Sequence, residues 1–248
     1  MFKSYSKFKE HRITKALLWM FGETLLIVIG IYLALQIDTW AENRAAEDSL
    51  KSNLKYVIED IDNNETTLSA ASEIKAQSIA RCTNLIDSFK LEKSMPSEKI
   101  IKSLSGVLKT NKIVFHQSGF ERIKTSSLYE SDDFFEVRDK IRAYNGIIED
   151  MRFTENFINN YITDLSLDMS KNGALLMVFD YLRMSMDIAQ YDGEIPHFDI
   201  QDILDENKAL QAVLHKYEFD ASDLIDHYKA LDKAGDELKV AIEVYLKN

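Results

Sequence analysis

Apolar and polar residues follow two different rhythms along this chain. The first is one unbroken run. Residues 16–37, ALLWMFGETLLIVIGIYLALQI, hold no basic residue and a single acidic one, Glu23. The second rhythm takes over after Trp40 and lasts to the C-terminus. Its apolar residues recur at alternating three- and four-residue steps, the spacing of one face of a helix.

The run of 22 residues predicts a transmembrane helix. At ~1.5 Å per residue it would span roughly 33 Å, the thickness of a hydrocarbon core. Trp19 and Trp40 bracket it as interfacial anchors. A cleaved signal peptide fits the basic start. Its apolar region would be shorter, at about 7–15 residues, and no small-x-small site follows. A buried core helix of a soluble protein is the other alternative, and the flanking charges and paired Trp residues oppose it.

Beyond the run, a seam follows heptad spacing. Its positions are Leu50, Leu54, Val57, Ile61, Asn64 and Leu68, then Ala71, Lys75, Ser78, Cys82, Leu85 and Phe89. No Gly or Pro interrupts residues 40–89, so the membrane helix is expected to continue into this one. Pro96, Ser97 and Glu98 open a second helix through Ile100, Ile101, Leu104 and Leu108. Residues 110–117 read as a loop. Ser118 to Glu121 resembles a capping box that starts a short helix to about Ser127, and the Asp132–Asp133 pair is expected to cap the next helix.

The clearest stripe runs from Phe134 to Met169, with Glu155 as its one polar interruption. Asn172-Gly173 would end it as a C-cap. Leu175, Phe179, Leu182, Met186 and Ala189 predict another helix, closed by Asp192-Gly193 and Pro196. Ile203, Leu210, Leu214 and Tyr217 predict a short one. Leu224, Tyr228, Leu231, Gly235, Leu238, Ile242 and Tyr245 predict a separate last one. Strand signals are nearly absent. The expected fold is therefore all-α: an N-terminal transmembrane helix continuing into an elongated antiparallel helical bundle.

Charge orients this object. Lys3, Lys7, Lys9, Arg12 and Lys15 precede the run against one acid, Glu10. After it come Asp38, Glu42, Glu47 and Asp48 against Arg44. The positive-inside rule then keeps residues 1–15 in the cytoplasm and exports 38–248. In a bacterium, the exported part is a periplasmic domain behind the inner membrane. It carries 25 basic and 39 acidic residues, a net charge of −14. So acidic a surface suits no phosphate backbone, and nucleic acid is not expected as a partner. The basic segment suits anionic headgroups of the lipid bilayer.

Candidate chemistry is sparse. A single Cys82 excludes an internal disulfide framework and is expected to be a small buried residue. The five histidines show no ligand spacing. Phosphate loops, nucleophile elbows and zinc motifs are missing, so neither a cofactor, a metal nor an enzymatic activity is expected. The tyrosines and phenylalanines largely fall on seam positions, which makes them core residues. Asn64-Glu-Thr66 matches a glycosylation triplet, a pattern frequent by chance. Glu23 is the exception, because an ionisable group inside a membrane helix is by default a functional hypothesis; the alternative is that it lies near the cytoplasmic face, protonated or snorkelling, without a role. Gly22, Gly30 and Ala34 share its side of the helix, and small residues permit close helix approach.

Residues 18–44, LWMFGETLLIVIGIYLALQIDTWAENR, resemble a family of uncharacterised Bacteroidota proteins. That family has an N-terminal GE-hydrophobic-IGI-x-IALQ-x-(N/D)-x-W-x-E signature. The matching positions are Gly22-Glu23, Ile29-Gly30-Ile31, Ala34-Leu35-Gln36, Asp38, Trp40, Glu42 and Arg44; Tyr32 replaces a more usual aliphatic residue. Ser118-Gly119, Leu128 and the helix to Tyr144 resemble the family's middle segment. The resemblance implies a single membrane helix, a helical exported part and a role for Glu23, Gln36 and Trp40 in a shared signature.

These observations lead to the expectation of a non-enzymatic binding or scaffold subunit of an envelope complex. It would form a homo-oligomer, or pair with other inner-membrane proteins, through its membrane helix. The alternatives are an ion-driven motor subunit that uses Glu23, or a periplasmic sensor without its own output domain.

Overall fold

The computed structural model describes residues 3–90, 95–110, 112–171, 173–185 and 207–247, with side chains from Trp19 onward and without those of 181, 182, 184 and 185. Six α-helices and one short 3-10 turn occupy nearly all of this, and no strand occurs among the described residues. Helix α1 spans Lys3–Lys90. It is followed by α2 (Ser97–Val107), α3 (Ser118–Lys124), a 3-10 turn at Asp132–Phe134, α4 (Phe135–Lys171), α5 (Ala174–Ser185) and α6 (Lys208–Lys247).

The apolar run and the heptad seam lie on one uninterrupted helix, as the absence of Gly and Pro over residues 40–89 predicts. Its 88 residues correspond to ~130 Å of rise. From Trp19 to Ser49 the helix has no buried residue, and burial begins at Leu50. The ten seam positions from Leu50 to Leu85 other than Ala71 and Phe89 are all buried, those two partly so. The core therefore lies wholly beyond residue 49.

Three long helices share that core. Helix α6 runs antiparallel to α1, with Lys239 beside Asp62 and Glu65 at one level and Cys82 beside Leu214 at another. Helix α4 runs antiparallel to α6: Phe134 meets the Tyr245 ring edge-on at 5.3 Å, and Asn207 reaches Asp168 at the far end. Asn64 bonds Tyr144, so α1 and α4 are parallel. All eleven positions of the stripe from Phe134 to Met169 are buried. Helices α2 and α3 pack on α1, and α5 closes the end away from the apolar run.

Several local expectations are corrected. The short helix and the last helix are one, α6. Buried Ala221 joins Tyr217 to Leu224 in the same three-four stripe, and no Gly or Pro intervenes. Asn207 caps this helix, its side-chain oxygen accepting from the Leu210 N–H at 2.9 Å. Helix α5 buries Ala174, Met177 and Val178, whereas Phe179 of the expected stripe is exposed and Leu175 only partly covered. The six consecutive apolar residues that open this helix, 174–179, give periodicity little to choose between.

Ser118 is not a capping-box N-cap. Helix α3 has Gln117 at its N-cap, no side-chain cap bond and ends at Lys124. Asp132 and Asp133 form the 3-10 turn without a side-chain cap bond and contribute charge at the start of α4. Gly173 adopts φ 80°, the left-handed conformation expected after a helix C-terminus. Asn172, Met186, Ala189, Asp192, Gly193, Pro196, Ile203 and the Leu182 side chain lie outside the described residues.

Candidate functional site

Two regions carry chemistry. The first is the exposed apolar portion of α1. Among the described residues, one helix is long and apolar enough to cross a membrane, and none of its apolar window is buried. That rules out the core-helix alternative, since a core helix would be covered by its neighbours. At 100° per residue, Gly22, Glu23, Gly30 and Ala34 fall within an arc of about 120°. A Cβ placed at Gly22 or Gly30 would meet nothing within 4 Å. Trp19 and Trp40, both exposed, lie 21 residues apart, ~31 Å along the axis. All six residues expected to mediate pairing or anchoring are thus unpartnered by the rest of the described chain.

The second region was visible in the sequence only as interruptions of the seams. Lys75 and Glu155 both occupy stripe positions, and both are buried. Burial lowers the Lys75 pKa against the opposing pull of Glu155. Burial likewise raises that of Glu155, against a backbone hydrogen bond at Ile113 and the charges of Lys75, Arg152 and Lys112. The Lys75 ammonium lies 5.7 Å from the centre of the Tyr217 ring. Tyr217 shares a 2.7 Å hydroxyl contact with Ser78, whose oxygen lies 2.8 Å from the Gly106 carbonyl. The phenol pKa of Tyr228 is raised, chiefly by burial and further by the nearby Glu155. A polar layer thus links α1, α2, α4, α6 and the loop at Ile113. Two seam positions of opposite charge on different helices were the signal that could have found it.

A second buried set ties the middle loop to α1. Asn64 donates to the His116 carbonyl at 3.0 Å and to the Tyr144 hydroxyl at 3.2 Å, and it accepts from the His116 N–H at 2.7 Å. Both ends of this fully buried amide are engaged, so the glycosylation triplet is not available in the folded chain. Asp60 accepts from Gly119 N–H at 2.6 Å and from Ser118 Oγ at 3.2 Å. It supplies from α1 the acceptor that the α3 N-terminus lacks locally. Gly119 makes this contact feasible: a Cβ there would stand 2.4 Å from the Tyr56 carbonyl carbon.

Cys82 is buried, as expected, with its thiol 3.2 Å from the Leu214 carbonyl and its pKa pushed up to about 12, mainly by burial. Such a thiol is neither a nucleophile at neutral pH nor open to a bridge between chains. A groove of about 460 Å³ between α1 and α6 includes Glu65, Glu73, Tyr228 and Asp232. No group of three His, Cys, Asp or Glu suited to a metal ion occurs among the described residues. Several aromatics depart from the expected core role: Phe153, Phe157 and Phe219 are exposed, and Phe157 carries the Lys216 ammonium 4.3 Å above its ring.

Comparison with protein-family models, with curated proteins and with solved structures gives no match for this chain.

Proposed function

We propose that this chain is a membrane-anchored, non-enzymatic binding or scaffold subunit of a bacterial envelope complex, associating through its membrane helix with a second copy or another inner-membrane protein. One observation carries the reading. A single helix leaves the apolar run and enters the bundle core without a break. The run has no partner among the described residues, which leaves its small-residue face open to another helix. Pairing would give Glu23 a hydrogen-bond partner in place of lipid. Buried Asn64, Asp60 and Ser78 are taken up by hydrogen bonds that tie helices and loops together, an arrangement that suits a rigid body better than a reaction centre.

The charge asymmetry around the run supports a cytoplasmic N-terminus and a periplasmic bundle. The resemblance of residues 18–44 to the Bacteroidota family supports the same topology. Glu23 also keeps the ion-driven motor reading in play, because an acidic group in a membrane helix is what such a subunit would protonate.

Cysteine crosslinking in native membranes tests the pairing. Ala34→Cys lies on the small-residue face and should form a dimer under mild oxidant, while Val28→Cys, on the opposite side, should not. Equal crosslinking at both positions would remove the specific interface. Protease added to spheroplasts should digest the bundle and leave a short embedded remnant; an intact bundle would reverse the topology. Glu23→Gln should weaken the A34C crosslink. Loss of ion flux with the crosslink intact would favour the motor reading instead.

A further inference from the structure

The end of the bundle away from the apolar run contains a cavity of about 510 Å³, where α1, α2, α4 and α5 meet. Its size falls within the ~300–1,000 Å³ typical of small-molecule sites. The two walls differ in chemistry. Helix α1 presents Arg81, and α2 with the residues just after it presents Ser105 and Lys109, while α5 presents Leu175, Val178 and Phe179. No acidic residue is among the described lining residues, in a region of the chain with a net charge of −14. Two cations gathered without a carboxylate are therefore unexpected on composition alone.

The basic wall is shaped around Arg81. This half-buried side chain lies flat on Gly106, where a Cβ would come within 2.8 Å of a guanidinium nitrogen. The hydroxyls of Ser105 and Ser166 donate to carbonyls of their own helices, at Lys102 and Ile162. Negative charge in the cavity would thus be met by the two cations. On the other wall, Phe179 remains 53 % exposed although its neighbour Val178 is buried. Helix α5 offers apolar surface that the described core does not use.

We propose that this cavity binds a single-chain anionic amphiphile, a fatty-acid carboxylate, with its acyl chain along α5 and its head group on Arg81 and Lys109. A planar guanidinium can hold a carboxylate through two parallel hydrogen bonds, and partial burial strengthens that pair. Apolar contact along Leu175, Val178 and Phe179 contributes by removing the chain from water. Arg81 lies 44 residues beyond Ile37, ~66 Å along a straight helix. The ligand therefore arrives as a free amphiphile, since a lipid still seated in the anchoring bilayer could not reach the cavity.

Photolabelling of the full chain in zwitterionic nanodiscs tests this, with a diazirine-bearing sixteen-carbon fatty acid as the probe. Peptides from α2 and α5 should be labelled, and excess palmitate should compete. Arg81→Met should reduce that labelling at least five-fold and Arg81→Lys much less. Val178→Trp, which fills the cavity, should abolish it with helix content unchanged by circular dichroism. A second probe, the corresponding diazirine alcohol, should label these peptides at least five-fold less. Labelling confined to the membrane helix would overturn the proposal. So would α5 labelling insensitive to both R81M and V178W, or equal labelling by acid and alcohol.

Discussion

At the scale of single residues, the bundle is specified by polar side chains that its seams bury. Lys75 and Glu155 face the same layer without closing a direct ion pair among the described residues, and each is held off its ordinary pKa chiefly by burial. Removing one leaves the other charged and uncompensated. Lys75→Met should cost about 3 kcal/mol in urea unfolding, and adding Glu155→Gln should restore most of it, because apolar or neutral replacement of both partners is often near neutral. The sign with pH follows from the raised Glu155 pKa. In the window above its ordinary 4.5, the native state holds more protons than the unfolded one, so this group's contribution falls as pH rises. The stability of wild type relative to E155Q should therefore decline from pH 4.5 toward neutrality; a flat difference would mean that Glu155 is not shifted. At the α3 contact, Asp60→Ala should cost about 1–2 kcal/mol through the lost cap, and Gly119→Ala about 1–3 kcal/mol by forcing α3 off the α1 backbone. Both are measurable by thermal melts at fixed pH.

At the scale of elements, the long stripes were legible in the sequence and the short contacts were not. The positions from Leu50 to Phe89 and from Phe134 to Met169 repeat a face often enough that any helix they form must bury that face. Even their polar members, Asn64, Lys75 and Glu155, follow the pattern inward. Helix α5 defeats the same reasoning because it opens on six consecutive apolar residues, 174–179. The α3 N-terminus defeats it for another reason: the acceptor for Gly119 N–H is Asp60, 59 residues away, and no local spacing encodes that. The shared arc of Gly22, Glu23, Gly30 and Ala34 was readable residue by residue, since it depends only on helical geometry. The buried Lys75–Glu155 layer requires knowing which helices are neighbours. The exposed portion of α1 between the run and Leu50 makes its own prediction. Arg44 and Asp48 form the one described ion pair on it, an exposed 3.9 Å contact of little energetic weight. Ala41→Pro should kink the helix there and leave bundle unfolding unchanged, since no core residue precedes Leu50. A fall in the bundle's Tm would show that the stalk is part of the cooperative unit.

At the scale of the molecule, the two ends of α1 point in different directions around its axis. Counting 100° per residue, the arc of Gly22, Gly30 and Ala34 lies roughly 140° from the one formed by Leu50, Leu54, Val57 and Ile61. The bundle therefore hangs on the far side of the helix from the proposed pairing face. Two parallel copies could approach through that face without their bundles colliding. On the pairing side, the α1 surface within the bundle presents exposed Lys55, Glu59, Thr66, Glu73 and Gln77, a polar and net acidic strip that adds no apolar contact between copies. The proposed association would then be confined to the apolar run and the stalk beyond it. A fragment of residues 46–248 retains every buried position and should be a folded monomer by light scattering, while the full chain in detergent should be a dimer that Gly30→Leu weakens. A dimeric fragment would move the interface onto the bundle, where the exposed Phe153, Phe157 and Phe219 offer the apolar surface that the α1 strip lacks.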